Sequence, residues 1–311
     1  TFTITANMAT ARQSYGGAGT ATAAIGFAGD RNPGTSNATE EYNSSLNAIT
    51  QATWSSGGSA SSSARNRALA GIQTAAFMSG GYNGANSQTR ATEEYNGTSW
   101  TSGGDLSPQG NPDGGTYAGS ANGTQTAGLF VGGSSQGSTD YYFNTSYEYD
   151  GSSWSSPATF TAPGVRAPNV FGVQTAAVSA GGTRPGQPYV RVYEYDGSSW
   201  TTATSMPTGS EDGGRSGTLT AGIVFGGNTP SITAASLDYD GTNWTSAPTM
   251  VYTNADMNSS GAGTQTDALA MKGYNGTATV ATTQQYDGSS WVTTATAGTA
   301  ADSLGSGAGT S

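Results

Sequence analysis

The chain has 311 residues with 10 Lys+Arg against 20 Asp+Glu, a formal net charge of -10, and neither Cys nor His. Those absences exclude disulfides, thiolate nucleophiles, zinc sites of ordinary type and histidine-based triads. The acidic, Lys-poor balance (Lys272 is the single lysine) repels phosphate and argues against nucleic acid. No run of eighteen apolar residues and no charged-then-apolar leader is present, so neither membrane insertion nor a retained signal peptide is expected. Leu, Ile, Val and Phe make up about a tenth of the chain, a level that points to disorder unless a pattern overrides it.

The pattern is a repeat. In chain order, "TFTITANM" at the start reads as an outermost strand with Phe2 as its aromatic. Then come six small-residue strands, "TAAIGFAG" from 22, "TAAFMSGG" from 74, "TAGLFVGG" from 126, "TAAVSAGG" from 175, "TAGIVFGG" from 220 and "TDALAMKG" from 266. The fourth letter is always large: Ile25, Phe77, Leu129, Val178, Ile223 and Leu269. Side chains alternate along a strand, so one face carries the bulky residue while the other stays mostly small, as close packing of sheet on sheet requires. Each strand is followed by a Tyr (42, 95, 149, 195, 239, 286) and a Trp (54, 100, 154, 200, 244, 291). The gap between them is five except in the first unit, where "NSSLNAITQAT" stretches it. At the end, "ADSLGSGAGTS" echoes "ADMNSSGAGTQ", so a further unit begins and stops.

Six units of about 47 residues, each with short strands and Gly-rich turns, match the period of a β-propeller. The expected fold is all-β, a six-bladed β-propeller of four-stranded blades forming one domain over 1–311. The blades fall roughly at 10–58, 59–104, 105–157, 158–203, 204–248 and 249–296, with 1–9 and 297–311 closing the ring. The order of apolar strand, Gly-Gly, loop, Tyr and Trp resembles the kelch repeat, most clearly at Gly132-Gly133, Tyr149 and Trp154. It departs from that pattern where Gly29 is followed by Asp30 and where Lys272 precedes Gly273. The phrases "ATEEYNGTSWTSGG" and "GAGTQTDALA" resemble repeats in structural proteins of marine bacteriophages. A copper oxidase on a kelch-like propeller would need His and Cys, and is excluded.

"YEYDGSSW" occurs at 147–154 and again at 193–200, and its Asp could bind calcium or act in catalysis. Recurrence in every unit favours a hairpin turn instead, with Asp-Gly supplying positive φ and Tyr and Trp packing the blade. Asn96 replaces the Asp in a matching unit, which weakens a calcium reading. The spacing also differs from the sialidase Asp-box. Glu40-Glu41, Glu93-Glu94, Glu211-Asp212 and Asp238 with Asp240 could offer acid/base pairs, but neighbours on a strand point to opposite faces. Asn-x-Ser/Thr sequons, as at Asn96, Asn122 and Asn275, arise by chance in so Asn- and Ser/Thr-rich a chain.

The segments that do not repeat are the second-to-third-strand loops and the inter-blade connections, and they share one face of a propeller. Variable loops on a rigid scaffold are where recognition tends to sit. Their aromatic and Arg residues suit a sugar ring or a protein surface, and the candidate ligand-binding set is Tyr82, Tyr141, Tyr142, Phe143, Arg166, Arg184, Tyr189 and Tyr252. Tyr141–Phe143 could equally fold back over a blade edge. No catalytic residue, metal or cofactor is expected. The sequence reads as a non-enzymatic structural or adhesive protein, virion-borne or extracellular and multimeric in an assembly. Its partners would be a host surface glycan or protein, or other virion subunits. A secreted or cell-surface bacterial lectin-like module is the alternative.

Overall fold

The computed structural model describes residues 16–19, 23–27, 39–43, 53–83, 87–107, 115–135, 141–156, 158–159, 164–184, 187–188, 190–228, 230–257 and 262–296. The terminal segments expected to close the ring, 1–9 and 297–311, lie outside them. Among the described residues there is no helix, and the all-β expectation holds.

Six four-stranded antiparallel sheets form. The first joins Gly16–Gly19, Ala23–Phe27, Thr39–Asn43 and Thr53–Gly57, and the second Ala68–Ile72, Ala75–Ser79, Thr92–Tyr95 and Trp100–Ser102. The third joins Ser120–Thr124, Ala127–Val131, Ser146–Tyr149 and Trp154–Ser155, and the fourth Asn169–Val173, Ala176–Ala180, Val192–Tyr195 and Trp200–Ala203. The fifth joins Gly214–Thr218, Ala221–Phe225, Ser236–Tyr239 and Trp244–Ala247, and the sixth Ala262–Thr264, Asp267–Tyr274, Thr279–Tyr286 and Trp291–Thr296. The first strand of each sheet packs against the first strands of the sheets before and after it, and that of the sixth returns to that of the first. The sheets therefore stand around a common axis in a β-propeller arrangement, with each face pressed on a neighbour.

The bulky fourth letters do what their alternation requires: Ile25, Phe77, Leu129, Val178, Ile223 and Leu269 are all fully buried. The opposite positions stay small for a steric reason. A Cβ on Gly222 would lie 2.1 Å from the Phe171 ring of the preceding sheet, and one on Gly128 would lie 2.3 Å from Phe77. In every sheet the Tyr faces the Trp across the third and fourth strands, including Tyr42 and Trp54 despite the stretched spacing. In the second to sixth sheets the two rings pack with centroids 4.7–5.1 Å apart.

The Asp of the repeated octapeptide is turn chemistry. Asp150 Oδ1 accepts the backbone N–H groups of Ser152 and Ser153, both at 2.8 Å, and the Ser152 hydroxyl. Asp196 and Asp287 repeat the arrangement, Asp240 takes the two N–H groups that follow it, and Asn96 does the same with its amide oxygen. These bonds, led by the Ser153 backbone N–H, pull Asp150 down to about 2. Because Asn96 keeps the two N–H bonds with a neutral oxygen, whereas the lowered pKa shows that the charge strengthens them, Asp150→Asn is expected to lower the melting temperature less than Asp150→Ala does. Calcium should shift neither, and calorimetry with and without the ion checks all three outcomes.

Neighbouring sheets are also joined by polar bonds that the spacing does not reveal. Tyr95 Oη donates to Glu41, Tyr149 to Glu94, Tyr195 to Glu148 and Tyr239 to Glu194, at 2.6–2.8 Å, always to the sheet before. The Trp indoles reach back as well, Trp100 to Thr39, Trp154 to Thr92 and Trp200 to Ser146. Gln125, Gln174 and Gln265, in the first hairpins of their sheets, each donate to two backbone carbonyls of the preceding sheet. Adjacent Glu93 and Glu94 point to opposite faces as expected. Glu94 meets Tyr149, while Glu93 pairs with Arg67 at 2.7 Å, both side chains only 2% exposed. Removing Arg67 leaves a buried carboxylate without its cation, so Arg67→Ala is expected to cost about 3–5 kcal/mol in urea unfolding.

The series weakens between the fifth and sixth sheets. There Asp238, one methylene shorter, stands where the others have Glu, and burial raises its pKa. Among the described residues, Asp238 Oδ1, Ser236 Oγ and Trp291 Nε1 are buried without a protein partner. Asp238→Glu is expected to raise stability by about 1 kcal/mol, and Glu194→Asp to lower it by a similar amount. Equal denaturant midpoints for both variants and the parent would show that the tyrosine–carboxylate bonds carry no stability. Burial, reinforced by the carboxylate partner, raises Tyr95, Tyr149, Tyr195 and Tyr239 above their ordinary 10.0. Their contribution is complete below that value and is lost as the pH rises past it, because the unfolded chain gives up the phenolic protons first. Unfolding free energy should therefore fall steeply above pH 10, and less steeply in Tyr149→Phe.

Candidate functional site

The Asp turns close the far end of the third strands, whereas the loops entering those strands gather at the other end with the inter-sheet connections. Three short pairs stiffen this loop face: Ala64–Arg65 with Tyr82–Asn83, Ser134–Ser135 with Tyr141–Tyr142, and Thr183–Arg184 with Gln187–Pro188. Just before the innermost strands the backbone enters the left-handed region at a non-glycine residue: Asn66, Ala118, Ala167, Asp212 and Asp256, with φ of 50–56°. That conformation is uncommon for such residues and is held here by neighbouring chain segments. Ala118 N–H donates to Asn66 O, Ala167 N–H to Ala118 O, and Met257 N–H to Asp212 O, so the positions are stitched to one another around the axis.

The residue before each of these positions bridges to the adjacent loop: Arg65 to Tyr82, Tyr117 to Ser134, Arg166 to Thr183, Glu211 to Asn228 and Ala255 to Tyr274. Equivalent places thus carry a cation, a phenol, a cation, a carboxylate and a methyl group. The first three form a connected band. Arg65 lies over the Tyr82 ring at 5.6 Å, Tyr82 meets Tyr117 edge-on at 4.6 Å, and Arg166 is hydrogen-bonded to Tyr117. Burial opposes the Arg166 charge, but Asp212, Tyr117 and Tyr142 together hold its pKa above the ordinary arginine value. Arg215 is buried among the innermost strands, its Nη2 donating to Ser120 at 2.7 Å and its Nε to Val170 O at 3.3 Å. Desolvation pulls Arg215 down to about 9 against the opposing charge of Asp212.

The eight residues singled out from the sequence separate in space. Tyr82, Tyr142 and Arg166 belong to the band. Tyr82 and Phe143, expected at the surface, are instead buried, because the short pairs fold their loops inward; Tyr82 packs on Tyr117 and Phe143 under Tyr141. Tyr141 and Tyr252 are exposed, at 53% and 52%. Arg184 is half-buried in its short pair, and Tyr189 lies outside the described residues. Arg65, Tyr117 and Asp212 were not among the eight; Asp212 stood out only as half of the Glu211-Asp212 pair, and the sequence signal of the other two is a place just ahead of an innermost strand. Arg215 did carry a signal: "GRSGT" puts a long cation where corresponding strands read "SANGT" and "ALAGI".

The arrangement offers edge-on phenols, two cations and a carboxylate on a braced surface, a set suited to holding a polar ring or a protein side chain. No protein-family model matches the chain, and no curated protein matches it in sequence. Among solved structures it is similar to one described as "Structure of YjhT", with a TM-score of 0.67 and 13% identity over 87% of this chain and 93% of that one. At that identity the likeness speaks for the fold alone. Arg166→Ala is expected to loosen the band, raising amide exchange at Tyr117 and Tyr142 while leaving the Asp turns unchanged, as exchange mass spectrometry would show.

Proposed function

We propose that the chain is a six-bladed, kelch-like β-propeller that works without catalysis, as a structural or adhesive component of a phage virion or tail appendage. Its Asp-turn face is scaffold, and its loop face is presented to a host glycan, a host surface protein or a neighbouring virion subunit. The observation that carries this reading is the division of labour between the two ends of the sheets. Turn chemistry repeats at one end, whereas equivalent positions at the other carry Arg65, Tyr117, Arg166, Glu211 and Ala255. The six sheets around one axis support the blade count, and the order of Gly-Gly, Tyr and Trp along the chain supports the kelch likeness. Weak single contacts would gain strength from many copies on one particle.

The test is binding of the purified protein to glycan arrays and host cells, as monomer and as a multivalent display. The display should bind and lose most of its signal on Arg166→Ala or Tyr142→Ala, whereas Asp196→Asn on the opposite face should leave it intact. Glycan turnover abolished by changing a single carboxylate would overturn the non-enzymatic reading.

A further inference from the structure

In the second to sixth sheets the residue two before the repeat Tyr faces the seam toward the preceding sheet. At this place, opposite Met78, Phe130, Ser179, Val224 and Ala270 of the second strands, stand Glu93, Tyr147, Tyr193, Leu237 and Gln284. Four of the five are long and carry a polar tip. Glu93 accepts the Ser61 N–H at 2.6 Å, and Gln284 accepts the Tyr252 N–H at 3.1 Å. Tyr147 and Tyr193 place a phenol there, only 3% and 6% exposed, and Thr145 donates its hydroxyl to Tyr147 Oη at 2.8 Å.

The fifth sheet has Leu237, and beside it lies a cavity of about 190 Å³ between that sheet and the connection leading into it from the fourth. Val224, Ala235 and Leu237 give its apolar surface, and Thr208, Ser210 and Thr233 bring hydroxyls. Thr208 follows Met206 as Tyr252 follows Met250, and both methionines donate to the chain just ahead of the third strand. The cavity therefore includes the loop position whose N–H Gln284 engages in the sixth sheet. An apolar cavity of about 150 Å³ is enough to hold a benzene ring.

We propose that this cavity is a socket for a tyrosine side chain presented by a protein partner. The protein's own packing shows which occupant suits the place: two of its sheets fill the equivalent position with a chain-borne phenol. A tyrosine entering this cavity would bury its ring on Val224 and Leu237 and set its hydroxyl among the threonine and serine hydroxyls. The assignment rests on the proposed role of the loop face in recognition and narrows its partner to a protein.

The experiment titrates N-acetyl-tyrosinamide into the full chain, followed by methyl NMR of Val224 and Leu237, with N-acetyl-phenylalaninamide and p-cresol in parallel. Saturable shifts are expected from the tyrosine amide and p-cresol, and weaker ones from the phenylalanine amide. Leu237→Tyr should fill the cavity from within, raising the melting temperature and abolishing the shifts. Leu237→Phe serves the same purpose should the phenol misfold. Absence of shifts, or shifts that persist in a folded filled variant, would overturn the socket. Binding of p-cresol without the tyrosine amide would overturn the protein partner in favour of a small phenol. Shifts from the tyrosine amide in a protein that fails on cells and particles would support the socket and count against the proposed function.

Discussion

A tyrosine hydroxyl donating to a carboxylate one sheet away is the bond on which the rest of this molecule depends. Apolar burial alone is poorly directional, and here the apolar residues are few and small. Glycine lets adjacent sheets approach until an added Cβ would strike a neighbouring ring, and at that separation a buried phenol needs an acceptor within reach. Glu41, Glu94, Glu148 and Glu194 supply it. The same bond fixes how far each sheet slides along the next, because a slide of one residue, about 3.3 Å, would carry the phenol out of reach of its carboxylate.

Much of this architecture can be read from the chain and some cannot, for definable reasons. The Tyr–Trp pairing, the Asp turn and the buried fourth letter are local: spacing and alternation within one hairpin determine them. The partner of Glu148 is Tyr195, 47 residues on, and nothing in the octapeptide says that its second letter belongs to the next copy of the motif. Gln125 likewise sits in an exposed-looking turn and gives no hint that it caps two carbonyls of another sheet. At the loop face the short strand pairs decide which aromatics point out. The sequence marks Tyr82 and Phe143 as loop residues, yet it does not show that those loops fold back as ribbons.

The two ends of the sheets solve different problems with different chemistry. At the Asp turns one side-chain oxygen satisfies two backbone N–H groups, so the turn is complete within a few residues and tolerates little variety. At the loop end the backbone is satisfied by neighbouring chain segments, through bridges such as Arg166 with Thr183. Side chains are thereby released from holding the fold, and positions equivalent in backbone geometry can differ fully in charge and size.

The reach-back bonds also have a direction in time. Tyrosine, tryptophan and glutamine donors all lie later in the chain than the acceptors they meet, and Arg215 reaches back past the fourth sheet to the third. As the chain leaves the ribosome, each new sheet finds the acceptors of these side chains already emerged, while backbone donors such as Gly81 N–H wait only for the next connection, here Thr116 O. A growing disc of this kind is assembled like a spiral staircase, tread upon tread, and is able to begin folding long before its last strand exists.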